Sequence, residues 1–234
     1  MTKYSLTAAV FFALAGGASA QELFSFDEAE GGAYVSGFVG SYDPDDADLF
    51  GAGTRLGAEF DTSAAYGGAL GYRLPFKYWT YFQPRLELEV SSARSDLSGS
   101  RLNAITQTSS GELSSTSFLF NNYNDITWSD RQTIVPFLGG GLGFSRLDLS
   151  AAAAPTSGGV TSFAIEDDTT ALTTTFSGGL TWHASDRFEV YGEARYTTVY
   201  GAEFELVAAG SSAAQALEDD LKAATFTVGA RIGF

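Results

Sequence analysis

The chain has 234 residues, with 28 acidic and 13 basic side chains and a formal net charge of −15 at neutral pH. Such an acidic surface repels polyanions, so we expect no nucleic-acid partner. The chain has no cysteine, which excludes a disulfide scaffold and leaves burial and backbone hydrogen bonding to stabilise the fold.

The N-terminal segment has the three regions of a secretory signal. Lys3 precedes an apolar run at residues 6–15, and small residues fill positions 16–20. We predict a signal peptide over residues 1–20, because this apolar run is too short for a retained membrane anchor. Residues 21–32 are acidic and unpatterned, and we interpret them as a periplasmic lead-in.

From residue 33 onward, strand-like stretches alternate with connections of two lengths. The first, third, fifth and seventh connections are long, and those between them are short. An up-and-down sheet with this asymmetry has all its long loops at one end, as outer-membrane barrels do. The eight predicted strands are residues 33–42, 65–74, 82–92, 115–126, 133–146, 171–183, 188–198 and 224–234, and the long loops are residues 43–64, 93–114, 147–170 and 199–223.

Alternation within the stretches separates one apolar face from one polar face. At residues 225–234 every second residue is apolar, and about ten residues tilted near 45° cross a bilayer. A soluble edge strand would alternate in the same way, but residues 84–91 and 188–197 repeat the pattern. We therefore predict an all-β fold, an eight-stranded antiparallel up-and-down transmembrane β-barrel over residues 33–234. In the first and fourth strands both faces hold large residues, so their inward face stays undecided.

Aromatic residues cluster at the short turns and at the chain end. Amphipathic rings are favoured where a membrane meets water, which predicts an interface girdle. A layer of soluble core aromatics is the alternative, but it does not explain why all three tryptophans lie by short turns. The girdle residues are Trp79, Trp128, Trp182 and Phe234.

Several segments resemble one known family, the OmpA-type, opacity-protein-like eight-stranded outer-membrane barrels of alphaproteobacteria. The resemblance implies a Gram-negative outer-membrane location, contact with membrane lipids and lipopolysaccharide, and insertion by the barrel-assembly machinery through the C-terminal strand. Arg94 and Arg146, where strands leave the membrane, are candidates for lipopolysaccharide phosphates; exposed arginines without a partner are the alternative. The similar segments are residues 86–89, 120–123, 135–143, 192–196 and 231–234.

Charged residues on the polar faces form the main candidate site. Because an eight-stranded barrel is only wide enough for its own side chains, we predict that they plug the lumen, with Arg73 near Glu87 and Glu189 near Arg231. The alternative is a narrow, gated solute path. The predicted lumen charge network is Arg73, Arg85, Glu87, Glu89, Glu189, Glu193, Arg195 and Arg231.

The first long loop carries four carboxylates, which are weak candidates for a calcium site. The run lacks the glycine and the distal glutamate of an EF-hand loop, so we expect a solvated acidic tip, no bound metal and no cofactor. The four residues are Asp43, Asp45, Asp46 and Asp48.

His183, the only histidine, precedes Ser185 by two positions. The pair resembles the catalytic His and Ser of outer-membrane lipid A deacylases. We predict no enzyme, because this turn is expected on the periplasmic side, away from that substrate in the outer leaflet.

In the last long loop, residues 212–224 are predicted to form a short helix that caps the barrel mouth, with Leu217 and Leu221 on one side.

We expect a structural and cell-surface role: a plugged barrel presents polar loops as the contact for any extracellular ligand. The first alternative is a small, low-conductance, porin-like channel. A lipid-modifying outer-membrane enzyme is the less favoured second alternative.

Overall fold

The structure is a computed structural model that describes residues 26–51, 53–103, 105–129, 131–155, 163–208 and 214–234. Almost all of these residues lie in antiparallel strands. The strands are β1 (Phe26–Glu28), β2 (Gly32–Pro44), β3 (Ala47–Gly51), β4 (Thr54–Phe60), β5 (Ser63–Arg73), β6 (Phe76–Tyr78), β7 (Phe82–Leu102), β8 (Ile105–Ile126), β9 (Ile134–Pro155), β10 (Phe163–His183), β11 (Phe188–Ala208) and β12 (Ala214–Gly233).

The strand pairings close into a ring. Each strand from β7 to β12 pairs with its neighbour in the chain, β12 pairs with β2, β2 with β5, and β5 with β7. At the long-hairpin end β3 continues β2 and β4 continues β5, because β3 pairs with β12 and β4, and β4 with β7. The predicted eight-stranded antiparallel barrel is therefore confirmed. Within the described ranges, no helix is long and apolar enough to cross a membrane.

The strands extend far beyond their predicted ends. The predicted loop at residues 93–114 lies almost wholly in β7 and β8, and those at 147–170 and 199–223 lie mostly in β9 to β12. The loop prediction is wrong because small residues hide the alternation: Ala151 and Ala153 are buried, whereas Ala152 between them is exposed. The long hairpins therefore continue the barrel wall.

The predicted helix at residues 212–224 is also wrong. Residues 214–224 belong to β12, where Leu217 is buried and Leu221 partly buried, both in the apolar interior. A period of two, rather than 3.6, places these leucines on one side.

We call the described strand segments within residues 43–64, 93–114, 147–170 and 199–223 the hairpin extensions. The outer wall carries an apolar band between the short turns and these extensions. The inward faces that the sequence left undecided are resolved: Tyr34 and Phe38 in β2, and Tyr123 and Asp125 in β8, face the lumen. The exposed apolar residues of the wall include Val35, Val39, Leu70, Leu88, Val90, Phe118, Phe120, Leu138, Leu142, Phe144, Leu172, Phe176, Leu180, Phe226, Val228 and Ile232.

Inside the hairpin extensions lies a second apolar region, which we call the outer core. Its side chains are almost completely shielded from solvent, while charged pairs such as Asp48 with Arg55 cover the outside. The extension is thus built like a soluble β-protein, with its apolar face inward. The outer core comprises Ala47, Leu49, Leu56, Ala58, Leu97, Leu113, Leu147, Leu149, Ala151, Ala153, Phe163, Ile165, Ala171, Val199, Ala202, Phe204, Leu206 and Leu217.

Glycines opposite lumen aromatics admit those rings into the barrel. Tyr34 lies opposite Gly71, and a Cβ on Gly71 would be 2.1 Å from Tyr34 Cζ. Tyr191 lies opposite Gly229, where a Cβ would be 2.4 Å from Tyr191 Cζ. These glycines therefore fix where large rings fill the narrow lumen.

At the short-turn end, the lead-in contributes a strand. β1 pairs with β6, and the Ala29 amide donates to the Pro75 carbonyl at 3.2 Å. The predicted signal peptide at residues 1–20 lies outside the described residues, and it stays a prediction, as do the domain boundaries.

Candidate functional site: the lumen charge network

Six charged side chains from five strands form a closed cycle near the short-turn end of the lumen. We call this cycle the inner ring. Arginines and carboxylates alternate in it, so every member has two partners of opposite charge. In order, Arg73 contacts Asp125 (3.2 Å), Asp125 contacts Arg85 (2.9 Å), Arg85 contacts Glu87, Glu87 contacts Arg231 (3.7 Å), Arg231 contacts Glu189 (3.6 Å) and Glu189 contacts Arg73 (2.9 Å).

Aromatic rings pack against the arginines of the inner ring. The Arg85 guanidinium carbon lies 4.2 Å from the Tyr123 ring centre and 4.8 Å from that of Phe137. Arg231 lies 3.9 Å from the Tyr191 ring centre and 5.6 Å from Phe137. These cation–π contacts stabilise guanidinium faces that make no hydrogen bond.

A second group, which we call the triad, lies next to the inner ring. It contains Glu89, Glu193 and Arg195. Arg195 Nη2 donates to Glu89 at 2.7 Å and Arg195 Nε donates to Glu193 at 2.8 Å. Asn121 also donates to Glu89, at 2.9 Å.

Hydroxyl groups occupy the lumen between the triad and the outer core. Thr173 Oγ1 donates to Ser145 Oγ at 2.7 Å, and Ser117 and Ser145 share a 2.7 Å hydrogen bond. A cavity of about 50 Å³ lies here, with Arg195 and Leu147 among its lining residues. This volume holds a few water molecules at most.

All eight residues of the predicted lumen network face inward, and they divide between the inner ring and the triad. The contacts differ from the predicted ones, since Arg73 contacts Asp125 and Glu189 rather than Glu87. Asp125 was missed because the inward face of the fourth predicted strand was undecided. Asp125 is two residues from Tyr123 and four from Asn121, so the three side chains lie on the same face of the strand. This spacing was the available signal.

The predicted girdle residues lie where β6, β8, β10 and β12 end, and their side chains are exposed. The exposed fractions are 53% for Trp79, 60% for Trp128, 54% for Trp182 and 79% for Phe234.

The acidic run of the first predicted loop does not converge on one point. Asp43 accepts from Thr62 (2.6 Å), Asp45 from Tyr196 (3.2 Å), and Asp48 pairs with Arg55 (2.7 Å). The hydrogen bond from Arg55 lowers the pKa of Asp48 below its ordinary value. Asp46 is exposed. Among the described residues no group of three or more His, Cys, Asp or Glu side chains is arranged to hold a metal ion.

His183 and Ser185 contact different neighbouring groups. His183 Nδ1 lies 3.2 Å from Glu189, whereas Ser185 Oγ accepts a hydrogen bond from the Phe188 amide at 3.1 Å. Ser185 therefore caps its turn, and the histidine borders the inner ring.

A family comparison decides what kind of barrel this is. The family model for the outer membrane protein beta-barrel domain matches residues 6–234. The chain belongs to this family. The predicted family resemblance is thus confirmed, and membership places the protein in the Gram-negative outer membrane. No curated protein sequence matches the chain.

Two solved structures superpose on the chain. OprG from Pseudomonas aeruginosa superposes with a TM-score of 0.56 at 12% identity, covering 88% of this chain and 97% of OprG. Neisserial surface protein A superposes with a TM-score of 0.47 at 11% identity, covering 90% of this chain and 99% of that protein. At this low identity, the superposition with OprG shows a shared fold alone.

Proposed function

We propose that this outer-membrane barrel is a non-conducting structural protein that presents its hairpin extensions at the cell surface. One observation supports the proposal: the inner ring, the triad and the outer core follow one another along the lumen. Ions would have to displace paired charges at one end and a dry apolar core at the other, and both steps are unfavourable.

The outside of the extensions supports the surface role. Its charged side chains point away from the outer core, and many are carboxylates, as in Asp48, Glu112 and Asp168. Such a wall favours cationic over polyanionic extracellular ligands. Arg94 and Arg146 lie beside Glu112 (3.2 Å) and Asp168 (3.4 Å), so any lipopolysaccharide phosphate must compete with these carboxylates. Contact with membrane lipids and insertion by the barrel-assembly machinery through β12 belong to the same proposal.

The absence of cysteine from the whole chain allows a direct test of surface presentation. Ser150→Cys places a thiol on the exposed side of β9, and Asp186→Cys places one in an exposed short turn. In intact cells, a membrane-impermeant maleimide should label Ser150→Cys and leave Asp186→Cys unlabelled until the outer membrane is opened. The reverse pattern would overturn the proposed orientation.

A low-conductance channel is the second candidate. It is favoured by buried lumen hydroxyls that have no hydrogen-bond partner among the described residues, including those of Thr175 and Ser177, because such groups suit a hydrated path. This candidate requires a steady ion current through the folded wild-type protein.

The proposal includes no enzymatic activity. His183 and Ser185 do not form a nucleophile–base pair in this geometry. The lipid-modifying alternative therefore has no supporting arrangement at this turn.

A further inference from the structure

The fixed charges that fill the lumen do not balance. The inner ring is neutral, because it contains three arginines and three carboxylates. The triad has two carboxylates, Glu89 and Glu193, for the single guanidinium of Arg195. His183 lies at the lumen mouth beside Glu189 with a third of its side chain exposed, too far along the barrel to be a member of the triad. One negative charge is therefore in excess at the triad.

Hydrogen bonding assigns this excess charge to Glu193. Glu89 receives donors from Arg195 and from Asn121. Among the described residues Glu193 accepts only from Arg195 Nε, at 2.8 Å. Glu193 has 6% of its surface exposed, and it shares one guanidinium with Glu89. Burying its negative charge is unfavourable unless another cation compensates that charge.

Buried hydroxyl-bearing residues lie on both strands that neighbour Glu193. Thr227 of β12 is directly opposite it, and Ser177 of β10 is on the diagonal, opposite Arg195. Ser177 is 1% exposed, and its hydroxyl has no hydrogen-bond partner in the part of the chain that the structure describes. Carboxylate and hydroxyl oxygens accept hydrogen bonds, and they are hard ligands of the kind that bind alkali-metal ions.

We infer that Glu193 binds one exchangeable monovalent cation, a proton or an alkali-metal ion, which neutralises the triad. A divalent ion would replace an excess of one negative charge by an excess of one positive charge. The other charged or titratable groups that face Glu193 are Arg195, Glu89, Tyr123 and Tyr191. The cation lies at the triad. Its binding does not depend on whether the lumen is closed to ions.

The test compares Glu193→Gln with Glu87→Gln, its matched control in the neutral inner ring. Thermal unfolding of each refolded protein is measured at pH 6 and pH 8, in sodium chloride and in tetramethylammonium chloride of equal ionic strength. Glu193→Gln should unfold at or above the wild-type temperature at pH 8, because it removes an excess charge. Glu87→Gln should unfold below wild type at both pH values, because it leaves Arg85 and Arg231 short of a partner.

The wild-type response identifies the cation. For a proton, the unfolding temperature falls from pH 6 to pH 8 in either salt, and an infrared band of a protonated carboxyl disappears in Glu193→Gln. For an alkali ion, wild type at pH 8 unfolds at a higher temperature in sodium than in tetramethylammonium, and Glu193→Gln loses this difference. The inference is overturned if wild type responds neither to pH nor to the cation, or if Glu193→Gln is destabilised as much as Glu87→Gln. If Glu193→Gln does not refold, the pH comparison is made in His183→Gln instead of wild type, so that the imidazole beside Glu189 cannot account for the response. Because no conductance is measured, this result is separate from the proposed sealed lumen.

Discussion

At the scale of single residues, Arg85 shows why the inner ring uses arginine. The side chain is completely buried, and it contacts Asp125, Glu87 and the faces of Tyr123 and Phe137 together. A planar guanidinium serves two carboxylates through its edge and two rings through its faces, whereas an ammonium is a point charge that cannot.

Truncation of Arg85 should be strongly destabilising. Arg85→Met keeps an apolar stem but leaves Asp125 and Glu87 with one arginine each, so we expect a loss of about 3–5 kcal/mol. Urea unfolding in lipid vesicles measures this loss. Arg94→Gln is the control, because its exposed pair with Glu112 should contribute under about 1 kcal/mol. Equal losses for the two variants would contradict the structural importance of the inner ring.

The exposed pair of Asp48 and Arg55 provides a pH prediction. Since Arg55 lowers the pKa of Asp48, this pair stabilises the folded hairpin above the ordinary carboxyl pKa, and the contribution is lost as pH falls through the lowered value. In carboxyl-resolved NMR, Arg55→Gln should move the Asp48 titration to higher pH. An unchanged titration midpoint would show that the contact is not formed in solution.

At the scale of strands, the membrane-facing segments were predictable because large apolar and charged residues alternate strictly there. The extensions were not, because their outward positions hold acidic residues, serine, threonine and alanine, as loops do. Only the inward residues distinguish them, and Ala151 and Ala153 are too small to stand out in the sequence. The boundary prediction failed for that reason.

The glycines that lie opposite lumen aromatic rings predict that a single added methyl group lowers the free energy of unfolding at those positions and not elsewhere. Gly71→Ala should destabilise by about 1–3 kcal/mol, because the Cβ overlaps the Tyr34 ring. Gly32→Ala, in the same sheet, places its Cβ where no atom lies within 4 Å and should be nearly neutral. Denaturant titration of both variants tests this difference, and a neutral Gly71→Ala would mean that Tyr34 does not lie over the glycine.

The outer core predicts a difference between two phenylalanines of the extensions. Phe204 is 1% exposed inside the outer core, and Phe50 is 51% exposed outside it. Phe204→Ala should cost about 3–5 kcal/mol, whereas Phe50→Ala removes a stacking contact with Arg55 worth about 0.5–1 kcal/mol. Protease digestion of the extensions in vesicles provides the readout: Phe204→Ala should be cut much faster. Equal digestion of the two variants would mean that the extensions lack a packed interior.

At the scale of the whole molecule, the barrel has two interiors of opposite character. The membrane-spanning part is apolar outside and charged inside, and the extension is charged outside and apolar inside. The eight lumen charges could be named from the sequence because strand parity is strict. Their cyclic contacts could not, since Asp125 and the tilt of strands across the ring determine which arginine reaches which carboxylate.

The proposed sealed lumen is tested most directly by ion conductance in planar bilayers. The proteins to compare are wild type, Arg231→Ala, Phe204→Ala and the double variant, each first shown by gel to run as a compact folded barrel when unheated. We expect no steady current from wild type and a measurable current from the double variant, with each single variant closed by the seal that remains. A steady current through folded wild-type protein would contradict the sealed lumen and favour the low-conductance channel.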